Sequence, residues 1–96
     1  MRGRCLCGRI KCEVDEPVQS CVNCHCGSCR RQFSAPMATF IGVSDKQWRW
    51  TTGAPKVFHS SPGAERTFCG NCGTPLPFRS EKMSGVMHFI VAALDE

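Results

Sequence analysis

Hydrophobic positions in this chain follow the two-residue period of strands. Ile10, Cys12 and Val14 alternate with Arg9, Lys11 and Glu13, and Trp48 and Trp50 alternate with Gln47, Arg49 and Thr51. Such alternation buries one face of a strand and wets the other. Arg66-Thr67-Phe68 leads into Cys69 in the same manner. Met37 to Val43 and Val86 to Val91 are short apolar runs with β-branched and aromatic content, suited to more deeply buried strands. Turn signals separate them: Asp15-Glu16-Pro17, Thr52-Gly53-Ala54-Pro55 and Ser60-Ser61-Pro62-Gly63. Prolines flank Leu76, which predicts an edge strand over Leu76 to Arg79, because proline donates nothing to a ladder. No window of a dozen residues carries apolar positions at i, i+3, i+4 and i+7, so no helix is predicted. The pattern reads as one all-β domain over residues 1–96, built from short antiparallel strands.

Composition changes that picture in one respect. The chain has 96 residues and is 42% hydrophobic, but nine of those residues are cysteines. A chain of this size often needs a metal, disulfides or a partner to complete its core. Cys5, Cys7, Cys24, Cys26, Cys29, Cys69 and Cys72 lie in C-x-C or C-x-x-C spacing, which suits two thiolates gripping one ion. The odd total and the absence of an apolar signal-peptide run near the N-terminus weigh against a disulfide framework. A metal-stapled domain in a reducing compartment, most simply the cytoplasm, is the expectation. The formal charge of +4 counts every cysteine as neutral. A four-thiolate zinc site contributes −2 and a three-thiolate site −1, which leaves about +1 and gives little support for a nucleic-acid partner. Nothing in the chain resembles a membrane span.

Spacing leaves two pairings open. Cys26 and Cys29 with Cys69 and Cys72 would form a ribbon-type site, across a longer insertion than the usual span of about 15–20 residues. Alternatively, Cys5 and Cys7 join Cys69 and Cys72, leaving Cys24, Cys26 and Cys29 as a separate cluster. Cys5-Leu6-Cys7-Gly8, Cys24-His25-Cys26-Gly27 and Cys69-Gly70-Asn71-Cys72-Gly73 each end in a glycine. A positive φ at those glycines would turn backbone N–H groups toward sulfur.

Three motifs occur in order: Gly3-x-Cys5-x-Cys7-Gly8-x-Ile10, Cys24-His25-Cys26-x-x-Cys29-Arg30, and Arg66-x-Phe68-Cys69-x-x-Cys72-Gly73-Thr74-x-Leu76. Together they resemble the glutathione-dependent formaldehyde-activating enzyme family, which includes centromere protein V-like domains. The resemblance runs from residue 3 to about residue 95. It implies a small zinc-stabilised fold of several coiled antiparallel sheets and two zinc ions. Cys5, Cys7, Cys69 and Cys72 match the structural zinc ligands, and Cys24, Cys26 and Cys29 match the second, active-site zinc. The family usually continues beyond Ala93-Leu94-Asp95, so the expectation is a domain without that C-terminal segment.

A zinc with three protein ligands keeps one position for an incoming group, whereas a zinc held by four thiolates is closed. Three thiolates make it a weak Lewis acid and favour capture of a thiol as thiolate. The resemblance implies a carbon–sulfur lyase-type reaction, S-hydroxymethylglutathione formed from or returned to glutathione and formaldehyde. Glutathione, or another small thiol adduct, is then co-substrate, with Arg30 and Arg31 as carboxylate contacts or, more plainly, a solvated turn. The alternatives are a zinc-stapled binding module and a glutathione carrier. Cys21 either closes the second site as a fourth thiolate or is a small buried residue, and His25 either ligates or points away. Cys12, His59, His88, Trp48 and Trp50 read as structural, and Ser34 and Ser44 lack triad partners.

Overall fold

The computed structural model of the chain describes residues 1–95. Nine strands and one helix follow in the order β1 (Arg2–Arg4), β2 (Lys11–Val14), β3 (Ser20–Cys24), α1 (Gly27–Phe33), β4 (Ala38–Ser44), β5 (Trp48–Thr52), β6 (Lys56–Ser61), β7 (Ala64–Phe68), β8 (Pro75–Ser80) and β9 (Val86–Ile90). Strands β1-β2-β5 form one sheet, and β3-β4-β9-β8-β7-β6 form a six-stranded second sheet. Every pairing is antiparallel. The all-β expectation holds, and the alternating segments around Cys12, Trp48 and Arg66 are strands as predicted.

The inward residues of these strands close the sheets on one another. Cys12 and Val14 of β2 pack with Ile41 and Val43 of β4 and with Met87 and Phe89 of β9. Trp48 and Trp50 lie against this cluster, edge-on to each other at 5.5 Å, and Trp48 meets Phe89 at 5.6 Å. Offset and edge-on geometry suits the quadrupoles of the rings. Cys12 is therefore a core residue, and both tryptophans are partly buried structural residues packed against the core, as their alternation implies. Two smaller clusters each contain cysteines: Cys5, Ile10, Cys69 and Leu76 in one, and Cys29, Ala38, Phe40 and Ile90 in the other.

Two expectations fail for identifiable reasons. Strand β8 is not an edge, because it lies between β7 and β9. Its prolines are tolerated at an irregularity in β7, where the register shifts between Arg66 and Phe68. There the Thr67 hydroxyl donates to the Pro77 carbonyl. The helix α1 escapes periodicity because it is seven residues long and buries only Cys29. It is fixed at its ends instead. Cys26 is its N-cap, with Sγ accepting from the Cys29 N–H at 3.3 Å, and Ser34 closes it in the left-handed region at φ 50°.

Of the two histidines read as structural, His59 is exposed on β6 whereas His88 is buried on β9. The His88 ring lies against Phe40 and Phe78, and its Nδ1 meets no hydrogen-bond partner among the described residues. Burial holds its imidazole below the ordinary histidine value. The unfolded chain therefore binds this proton more readily, so the contribution is fully present above about pH 6.5 and is lost as pH falls below it. In urea titrations from pH 7 to pH 5, His88→Phe should lose less stability than the unmodified chain, with the gap widening toward pH 5. Parallel losses in the two proteins would assign the acid sensitivity elsewhere.

Candidate metal centres

The turn after β1 and the turn after β7 meet at one end of the molecule. The Sγ atoms of Cys5, Cys7, Cys69 and Cys72 all lie within 4.8 Å of one another. Cys5 and Cys7 are 3.6 Å apart, and Cys7 and Cys69 are 3.8 Å apart. A tetrahedron with zinc–sulfur bonds of about 2.3 Å has edges of about 3.8 Å, so the donor set fits such an ion without rearrangement. Backbone amides already face the sulfurs. Ile10 N–H donates to Cys5 Sγ at 3.3 Å, and Asn71 and Cys72 N–H donate to Cys69 Sγ at 3.4 Å. The Thr74 hydroxyl accepts from Leu6 N–H at 2.9 Å and meets Cys72 Sγ at 3.1 Å. That hydroxyl draws the Cys72 thiol down to about 5. Gly8 and Gly73 adopt φ of 80° and 79°, as the knuckle reading requires. Gly27 departs from that reading, because it begins α1 with no positive φ.

The second group forms where β3 ends and α1 begins. The Sγ atoms of Cys24, Cys26 and Cys29 lie within 4.8 Å of one another. Cys26 is exposed, Cys29 is buried, and Cys24 is intermediate. The Cys29 N–H draws the Cys26 thiol down to about 7, while burial pushes Cys29 up to about 12 against the pull of the Arg66 guanidinium. Cys21 joins neither group. It is three residues from Cys24 along β3, hence on the opposite face, and it is exposed rather than buried. His25 is exposed and belongs to neither group. The arrangement of Cys26 and Cys29 with Cys69 and Cys72 does not form.

A cleft of about 520 Å³ opens between α1 and strands β6 and β7; it adjoins the three-sulfur group through Ser28 and through Arg66, which contacts Cys29, and it extends to Gly73 next to Cys72. Ser28, Arg31 and Gln32 of α1 form one wall, and Phe58, Ser60, Arg66 and Phe68 of β6 and β7 form the other. Of the two arginines singled out in the sequence, Arg31 lines this cleft and Arg30 does not. Both also sit in the last turn of α1, where cations complement the helix dipole. Sequence reasoning reads Arg66 as a strand and motif residue and gives it no role in the site. Its guanidinium meets Cys29 Sγ at 3.6 and 3.7 Å and Gln32 Oε1 at 2.6 Å.

The chain belongs to the glutathione-dependent formaldehyde-activating enzyme family. The family's model matches residues 1–96. An uncharacterized lyase of Schizosaccharomyces pombe is 41% identical over 78 residues, which is 79% of this chain and 55% of that protein. The chain therefore spans about half the length of this curated relative. The fold itself recurs in a Rhodobacter sphaeroides protein of known crystal structure, with a TM-score of 0.83 at 24% identity over 99% of this chain and 88% of that one.

Within a member of this family, the two groups differ in what they permit. Four sulfurs around one point leave no position for a further ligand, so that group suits a structural metal. A group of three sulfurs leaves one position free, and the exposed Cys26 puts it within reach of solvent. Among the described residues, no helix is long and apolar enough to cross a membrane.

Proposed function

We propose that this chain is a zinc-dependent carbon–sulfur lyase-type enzyme acting on a glutathione–aldehyde adduct, with residues 1–96 working as one domain. The observation that carries the reading is the three-sulfur group of Cys24, Cys26 and Cys29 beside a cleft, with neither Cys21 nor His25 completing it. Zinc bound there would supply a position at which an incoming thiol ionises. The remaining work falls to the protein. Cys24 and Cys29 are held by β3 and α1, and Cys26 is held by its cap hydrogen bond, so the sulfurs keep their places as ligand enters. Arg31 offers a cation on the cleft wall to a glutathione carboxylate. Arg30 lies beyond the cleft and serves only a ligand that extends over the end of α1. Phe58 and Phe68 restrict water on the facing wall. In the forward direction a carbon–sulfur bond forms at the aldehyde carbon, and the thiol proton ends on the former carbonyl oxygen as a hydroxyl. The reverse breaks that bond and returns both reactants.

The Cys5, Cys7, Cys69 and Cys72 group would hold a second zinc in a structural role. Native mass spectrometry of zinc-loaded protein tests the whole reading. Two zinc ions per chain are expected, with one ternary adduct when glutathione is added. A single zinc, or two that ignore glutathione, would leave a zinc-stapled binding module. Two zincs with glutathione bound but no acceleration of adduct formation would leave a glutathione carrier.

A further inference from the structure

Arg66 is the one arginine buried among the described residues, at 6% exposure. A guanidinium keeps its charge under all ordinary conditions, and a buried charge is costly unless an opposite charge faces it. Among the described residues no carboxylate pairs with it. Nε donates to Ser60 Oγ at 2.9 Å, one terminal nitrogen donates to Gln32 Oε1 at 2.6 Å, and the carbon of the fork stands 4.7 Å from the centre of the Phe78 ring. Serine, glutamine and phenylalanine are neutral. The remaining contact is Cys29 Sγ, approached by both terminal nitrogens at 3.6 and 3.7 Å.

We infer that Arg66 is a positioning residue for the second metal site, the fixed countercharge that faces Cys29 Sγ and aims that sulfur at the metal. The inference rests on the metal site proposed above and adds a requirement to it. A divalent ion with three thiolates carries a net charge of −1, and the guanidinium brings the assembly to neutrality. An anionic thiol ligand then enters a neutral site rather than a negative one. Ser60 and Gln32 hold the two sides of the fork, so its plane stays fixed against the sulfur. Arg66 reaches from β7 to α1, and it therefore also sets the distance between the two walls of the cleft.

The test uses protein loaded with cobalt during expression, because sulfur-to-cobalt charge-transfer bands report directly on each thiolate. Arg66→Gln keeps an amide donor and removes the charge, whereas Arg66→Lys keeps the charge and loses the two-pronged contact. Chelator competition should show second-site affinity falling about 10–100-fold in the glutamine variant and by less in the lysine variant. Affinity at the four-sulfur group should not change, which serves as the internal control for folding. The charge-transfer band of the second site should move to lower energy, further in the glutamine variant, because a sulfur relieved of its donors is easier to oxidise. Wild-type affinity and an unmoved band in both variants, or a lysine variant no better than the glutamine one, would overturn the inference. If the glutamine variant also loses the four-sulfur metal, the lysine variant decides alone, an unmoved band overturning the inference. One cobalt per chain in the unmodified protein would instead sink the metal-site reading, and this inference with it.

Discussion

Cys69→Ser should abolish the cooperative thermal transition of this protein and remove the metal from the four-sulfur group. Cys69 is 2% exposed and Cys5 is fully buried, and together they make up half of the buried cluster at that end of the molecule. The only other buried members are Ile10 and Leu76. Two apolar side chains bring roughly 3–6 kcal/mol of burial, against the ordering of two long turns. Apparent binding energies of structural zinc are about 10–16 kcal/mol, as large as the total stability of a typical domain at about 5–15 kcal/mol. On the reading proposed above, a metal there would be the main tie between the turn after β1 and the turn after β7, 62 residues later between Cys7 and Cys69. Serine offers a weakly acidic hydroxyl in place of a thiolate, and the Asn71 and Cys72 amides that face Cys69 Sγ lose their anion. Scanning calorimetry together with metal analysis checks this. A full metal complement and a cooperative melt within a few degrees of the unmodified protein would remove Cys69 from the structural site.

How much of this is legible in the sequence depends on where the determining contacts lie. Strands β2, β4, β5 and β9 are legible because each turns a regular face to one shared core, and Cys12, Val43, Trp48 and Phe89 meet there. Strand β8 reads as an edge, yet its prolines fall opposite a register irregularity on the neighbouring strand. That irregularity lies on a different segment from the prolines. Helix α1 is invisible to periodicity because a sulfur and a left-handed serine define it, and neither belongs to an apolar stripe. The grouping of Cys5 and Cys7 with Cys69 and Cys72 is open on spacing alone. It is decided by two turns meeting in space, which the family resemblance anticipates and the separation along the chain does not. Arg66 lies at a position where alternation calls for an apolar residue. Its meaning becomes visible only once Cys29 and Gln32, more than thirty residues away, are placed against it.

Cys26→Ser should separate the second metal from the fold. Serine is among the best N-cap residues, so the oxygen can accept the Cys29 N–H that the sulfur accepts now, and α1 keeps its start. Cys26 is exposed, so the change leaves no buried cavity, and Cys29, Ala38, Phe40 and Ile90 remain packed. The cluster itself is local, spanning residues 24 to 29, so its loss opens no long loop. The melting temperature should therefore move by only a few degrees, while metal content falls from two ions to one. Turnover of the glutathione–formaldehyde adduct, followed by NMR exchange, should fall by more than about 100-fold, since loss of a direct ligand exceeds the effect of an outer-shell one. Global unfolding would show that the second metal also staples the fold. Undiminished exchange would remove Cys26 from the proposed chemistry even if the metal were lost. The contrast with Cys69→Ser follows from chain geometry. A metal held within one short segment stabilises little that α1 and β3 do not already hold, and so its sulfurs are free to serve a ligand.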